Sequence, residues 1–146
     1  MRLHYRLPFL ALGLLLASCE TLAGSGGSAA EFTKLKEGLA GARGRLDRAV
    51  AEGATDQIAE PLAAVGAQLD EIQSKSSAMN LLDRENLAIQ AASGRGLITT
   101  TQQWVANGDI ETVRSEVRNL NGVLDEVNSL LDRAIRSAAV PSQSSQ

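Results

Sequence analysis

The chain has 146 residues, enough for one folded domain, and carries 14 basic and 17 acidic residues, for a formal net charge of −3. This balance lacks the basic footprint of a nucleic-acid-binding protein, and a single cysteine excludes any disulfide within the chain. The only histidine is His4, so the chain has few side chains that could bind zinc or haem or act as the base in nucleophilic catalysis. We therefore expect a non-enzymatic protein that has no metal, no cofactor and no nucleic-acid partner.

The first 19 residues combine a basic start, an apolar run and a short motif that ends in cysteine. Two arginines come first, and the apolar run extends from Leu7 to Ala17. Such a run is too short for a membrane-spanning helix, which needs about 20 residues, but it suits the core of a signal peptide, at about 7–15 residues. The motif Leu16-Ala17-Ser18-Cys19 resembles the lipobox of bacterial lipoproteins.

That resemblance implies how the chain is processed and where it resides. Residues 1–18 would be a signal peptide cleaved before Cys19, whose sulfur would carry a diacylglyceryl thioether, with a third acyl chain, commonly palmitate, on the new amino group. The partner implied first is therefore the membrane of the cell envelope. Glu20 is not the aspartate associated with retention in the inner membrane, so we expect the periplasmic face of the outer membrane.

Cleavage would also change the composition of the protein. Of the 14 basic residues, two leave with the signal peptide, and all 17 acidic residues stay, so the mature charge is 12 − 17 = −5. His4 leaves as well. Residues 19–30 then form the lipidated cysteine with a Gly/Ser/Ala-rich tether, and residues 140–146 are expected to be a disordered tail behind a proline.

Residues 31–139 are expected to form the folded domain, and its first half contains two amphipathic helical patterns. The first ends at Gly53, a suitable C-terminal stop, and the second has Thr55 or Asp56 as N-cap candidates. Pro61 either kinks the second helix or lies close to its true start. The two apolar stripes comprise Phe32, Leu35, Leu39, Ala42, Leu46 and Ala49, and then Ile58, Leu62, Val65, Leu69 and Ile72.

The second half contains two more helical patterns, after a turn expected near residues 77–82. Asp83 is the expected N-cap of the third helix, with Leu82 and Leu87 as a hydrophobic staple. Asn107-Gly108 would end that helix, and Asp109 would cap the fourth. The two stripes comprise Leu87, Ala91, Gly94, Ile98, Thr101 and Val105, and then Ile110, Val113, Val117, Leu120, Leu124, Val127, Leu131, Ala134 and Ala138.

Four amphipathic helices with short connections predict an all-α fold. Each apolar stripe needs another to cover it, and the alternating 3-4 spacing suits packing at shallow crossing angles. The sequence therefore predicts an up-down four-helix bundle. The alternative is a three-helix bundle with a partly detached first helix.

The outer side of the first helix is the candidate partner face. Two glycines there point away from the apolar stripe, and three basic residues fall on the same side of the helical wheel. The basic residues could also meet anionic lipid headgroups. The competing interpretations are a weak, exposed helix and a solvated face of mixed charge, since Glu37 and Glu52 are interleaved. The candidate residues are Lys34, Gly41, Gly44, Arg45 and Arg48.

A second candidate site lies on the third helix, where Trp104 and Gly94 could contact a ligand. Packing is the simpler explanation of both residues, since Gly94 lies on the apolar stripe and a lone tryptophan on an apolar face commonly fills a core. The leading hypothesis is a lipid-anchored interaction or scaffold module that binds an envelope protein. The alternative is a periplasmic protein that holds a small apolar ligand or lipid between its helices.

Overall fold

The computed structural model describes residues 28–140. The expected signal peptide, Cys19, most of the tether and residues 141–146 lie outside the described residues. Within 28–140 the chain forms helices and no strand. The elements are α1 (Ala29–Glu52), a 3₁₀ turn (Thr55–Gln57), α2 (Ala59–Ser74), a second 3₁₀ turn (Ser76–Ala78), α3 (Leu81–Asn107) and α4 (Ile110–Ala139).

The four helices form the predicted up-down bundle. Helices α1 and α3 occupy opposite corners, because each packs against α2 and α4. The alternative with a detached first helix is wrong, since α1 buries seven residues, from Phe32 to Val50, in the shared core. The first helix also begins at Ala29, two residues before the expected start of the domain, because the Ser28 side chain accepts a hydrogen bond from the Glu31 N–H.

Polar contacts fix the register of α1 against α4. In the sequence, successive contact positions rise by 7 and then 4 residues along α1 and fall by 7 and then 4 along α4. Because the contact positions have the same spacing on both helices, all three contacts are consistent with a single antiparallel register. The contacts join Lys36 to Asp132 at 2.6 Å, Arg43 to Asp125, and Asp47 to Asn121 at 2.9 Å.

All four predicted stripes contribute to one core. Most of their members are buried, although Val105 and Ile110 are only partly covered and Ala138 is exposed. Burial of these side chains is the main force that holds the helices together. The largest fully buried side chains are Phe32, Leu39, Leu46, Ile58, Leu62, Val65, Leu69, Ile72, Leu87, Leu120, Leu124 and Leu131.

Glycine ends two of the helices, as predicted. Gly53 closes α1 with φ at 75°, and Gly108 closes α3 with φ at 72°, in the left-handed region that side chains rarely adopt. Asp109 caps α4, because its carboxylate accepts hydrogen bonds from the Thr112 N–H at 3.1 Å and from the Thr112 hydroxyl at 2.7 Å. These bonds lower the pKa of Asp109.

The start of α2 differs from the expectation. Neither Thr55 nor Asp56 caps it, because both belong to the preceding 3₁₀ turn, and Ile58 occupies the cap position without a side-chain hydrogen bond. Pro61 is the third residue of α2. The N–H groups of the first helical turn have no intrahelical acceptor, so the N–H group that proline lacks costs little at this position. The interpretation that the helix starts close to Pro61 is confirmed.

The start of α3 corrects another prediction. Asn80, not Asp83, is the N-cap, and its amide oxygen accepts a hydrogen bond from the Asp83 N–H at 2.9 Å. Leu82 therefore lies inside the first turn, where it is 67% exposed, and the staple with Leu87 is wrong. The predicted turn before this helix is present, as the second 3₁₀ turn followed by Met79.

Candidate functional site

The candidate partner face is a continuous exposed strip on the outer side of α1. The strip follows from helix geometry, since Lys34, Gly41 and Arg48 are spaced by seven residues and lie almost in line, with Gly44 and Arg45 beside that line. All five residues are exposed. The helical wheel therefore placed them correctly with respect to the core.

Ion pairing divides the basic residues of α1 into two groups. Lys36 and Arg43 lie toward α4 and pair with its aspartates. Within residues 28–140, the other three, Lys34, Arg45 and Arg48, form no ion pair with any acidic side chain. The strip thus presents three cations without an ion pair, although Glu37 and Glu52 lie on the same helix and Asp56 and Glu60 line the groove beside Arg45.

The two glycines leave part of the strip without side chains. A Cβ atom built on Gly44 would have no heavy atom within 4 Å, and one built on Gly41 would approach only the Arg45 Nη1, at 4.0 Å. Nothing in the bundle therefore requires glycine at these positions, although each costs about 0.5–1 kcal/mol relative to alanine in a helix interior. A missing side chain on an exposed helix allows the backbone of another molecule to come close.

A groove of about 570 Å³ adjoins the strip where α1 faces the start of α2. Arg45 lies on one wall, and Asp56 and Glu60 lie on the other, with Gln57, Pro61 and Ala64 completing the lining. The groove is open and mixed in charge. These features suit a polar surface contact better than the enclosure of an apolar molecule.

The structure places Gly94 and Trp104 in packing positions. A Cβ atom on Gly94 would lie 2.8 Å from the Leu69 Cδ1, 3.5 Å from the Val123 Cγ1 and 3.8 Å from the Leu120 Cδ1. Side chains of α2 and α4 therefore fill the space beside this glycine. Trp104 is partly buried and packs against the core.

Sequence reasoning missed an ion pair between α3 and α4, in which Asp83 is buried and the Arg133 side chain is 45% exposed. The Arg133 Nε donates to the Asp83 Oδ1 at 2.8 Å, and the Asn80 Nδ2 donates to the other carboxylate oxygen at 2.6 Å. Burial of Asp83 favours its neutral form, but the two hydrogen bonds and the Arg133 charge outweigh that effect and lower its pKa. A signal was present, because Asp83 lies four residues before Leu87 on the buried stripe, where an acid needs a partner.

The described residues form neither a membrane-spanning helix nor a metal centre. None of the helices within residues 28–140 combines the length and the apolar character needed to cross a bilayer. In the same part of the chain, no three acidic, histidine or cysteine side chains come together as metal ligands. Comparison with known proteins finds no matching family model, no matching curated protein and no matching solved structure.

Proposed function

We propose that this protein is a lipid-anchored module of a bacterial envelope that binds another envelope protein through the outer face of α1. The observation that carries the proposal is the strip itself, where Lys34, Arg45 and Arg48 have no ion-pair partner and the two glycines have no packing role. The cations favour a partner surface that is rich in carboxylates. The proposal assigns the protein no reaction.

The membrane part of the proposal depends on the lipobox motif. Acyl chains on Cys19 would supply the membrane affinity, since a single chain binds only marginally and stable anchoring needs more than one such signal. The residue after the cysteine, Glu20, supports the periplasmic face of the outer membrane. A Cys19→Ser variant should lose membrane attachment in cell fractionation, and a variant retained like the parent would refute the anchoring.

The packing at Gly94 favours an interaction module over a carrier of apolar ligands. A carrier needs an apolar cavity of about 300–1,000 Å³ that encloses most of its ligand. The Leu69, Leu120 and Val123 side chains occupy the space that such a ligand would need beside this glycine.

The test is capture of partners by the lipidated protein from envelope extracts, with matched variants. Charge reversal in Arg45→Glu/Arg48→Glu should abolish or strongly reduce capture, because the partner's carboxylates would then face like charges. Arg118→Glu is the control, since Arg118 is also exposed and without an ion pair but lies on α4. Equal capture by all three proteins would refute the assignment of this face.

Gly44→Ala separates a contact face from a merely weak helix. The added methyl group meets no atom of the bundle, so it should stabilise the protein by about 0.5–1 kcal/mol under either interpretation. If the strip is a contact face, the same methyl group should also reduce capture of the partner. Stabilisation with unchanged capture would show that the glycines serve no close contact.

A further inference from the structure

The large apolar side chains that stand exposed within residues 28–140 are not scattered evenly. Leu81 is 60% exposed, Leu82 is 67% exposed and Val140 is 69% exposed, and all three lie at one end of the bundle. Ile89 is 65% exposed and continues this surface along α3, since it lies seven residues after Leu82. We refer to Leu81, Leu82 and Val140 as the tether-end patch.

The patch lies at the end of the bundle from which the N-terminal segment departs. Because neighbouring helices are antiparallel, the start of α1, the start of α3 and the end of α4 share one end. The Lys75–Glu31 ion pair at 3.2 Å confirms that the connection before α3 lies beside the start of α1. Only residues 20–27 separate Cys19 from Ser28, a span of about 30 Å even when fully extended.

Charges beside the patch suit a phosphate-bearing surface. Arg84 and Arg136 are exposed at this end, and neither forms an ion pair within the described residues. Guanidinium groups pair well with phosphate oxygens. Glu85 is the exposed acid nearest to the patch in sequence, and Asp83 is already paired with Arg133.

We propose that the tether-end patch seats in the interfacial region of the bilayer that holds the acyl chains of Cys19, so that the bundle stands on its end. The proposal rests on the lipid anchoring proposed above. The leucines and the valine would lie at the boundary between headgroups and acyl chains, and Arg84 and Arg136 would meet headgroup phosphates. Surfaces that lie in a membrane interface typically combine leucine side chains with neighbouring basic side chains.

The short connection makes a small patch sufficient. Three apolar side chains would hold a free protein on a membrane only weakly. Once Cys19 is anchored, the contact becomes intramolecular, with an effective concentration in the millimolar range for short linkers. A contact that is negligible in solution can then set the orientation of the whole domain.

End-on seating has a consequence for the face proposed to bind a partner. Helix α3 has 27 residues and is about 40 Å long. A bundle that stood upright would carry Gly41, Gly44, Arg45 and Arg48 away from the headgroups. A bundle that lay on the α1 side would instead press these cations against the lipid and block them.

The test measures how far two positions on α3 lie from the lipid. In the processed protein the Cys19 thiol is capped, so a cysteine introduced by Glu85→Cys or Gln102→Cys is the only site for a fluorescent label. Both positions are exposed, and they lie 17 residues apart, or about 25 Å along the helix. The full lipidated chain is placed in phospholipid vesicles, and quenching by aqueous iodide is compared with quenching by spin-labelled lipid.

We expect the label at position 85 to be shielded from iodide and quenched by lipid, and the label at position 102 to show the reverse. Adding Leu81→Ser/Leu82→Ser should abolish this contrast while the protein still sediments with the vesicles. Equal quenching at both positions on attached protein would overturn the proposal, as would iodide shielding at position 85 without lipid quenching, which would mean that protein covers the patch. Failure of the parent protein to sediment would instead refute the anchoring on which the proposal rests.

Discussion

Gly94 offers the sharpest test of the packing between α2 and α3. In Gly94→Ala, the new methyl group would lie 2.8 Å from the Leu69 Cδ1, closer than side-chain carbons approach each other. Leu69 is fully buried and cannot swing into solvent. Overpacking of this kind costs about 1–3 kcal/mol, whereas alanine is better than glycine in a helix by about 0.5–1 kcal/mol. The net expectation is a loss of about 1 kcal/mol, and of no more than about 2.5 kcal/mol.

Gly96→Ala is the matched control, because it lies on the same helix and a Cβ atom there meets nothing within 4 Å. It should gain the full helix-propensity term of about 0.5–1 kcal/mol. Thermal unfolding followed by circular dichroism should therefore shift in opposite directions for two substitutions only two residues apart. For a domain of this size each kcal/mol moves Tm by about 4 °C. If Gly94→Ala were as stabilising as Gly96→Ala, α2 and α3 would not approach each other here as the structure has them.

Three further predictions concern stability. Leu124→Ala should lower the free energy of unfolding by about 2–5 kcal/mol in denaturant titrations, because it empties a fully buried position; a loss below about 1 kcal/mol would contradict its core position. Asp83→Asn should lower the free energy of unfolding at neutral pH by about 1–2 kcal/mol. Because the folded pKa of Asp83 lies below its ordinary value of 3.8, the difference in stability between parent and variant should persist to about pH 4 and vanish as the pH falls through the lowered folded pKa. A difference independent of pH would refute the charged role of Asp83. Chelators should leave Tm unchanged, and a drop of several degrees would reveal a metal site.

The helices could be predicted from sequence because their signal is local. The 3-4 spacing of apolar residues is contained within each segment, so the stripes that start at Phe32 and Ile110 indicated buried faces without knowledge of any partner helix. Glycine at positions 53 and 108 likewise marked helix ends, because the left-handed conformation is a property of the residue itself. The bundle followed from the need to cover four such stripes.

The caps and ion pairs could not be read in the same way. Asn80 and Asp83 are both good N-cap residues three positions apart, and in the folded protein Asn80 is the cap while the buried Asp83 carboxylate accepts a hydrogen bond from Arg133 of α4. Arg133 lies 50 positions from Asp83, so the pair exists only once α3 and α4 meet. The candidate face was located by the helical wheel, but which basic residues of α1 would pair with α4 depended on the register of two helices distant in sequence.

The adjacency of the first and last helices has a consequence for how the domain assembles. Because α4 covers both α1 and α3, a chain that ends before Ile110 leaves two apolar faces without cover. Contacts between α1 and α4 also close the longest loop in the domain, and such non-local contacts slow folding relative to a hairpin of neighbouring helices. The bundle therefore cannot be completed without the last 30 residues of the helical region, which form α4. C-terminal truncations that remove part of α4 should unfold the whole domain cooperatively and should not lose stability in small steps.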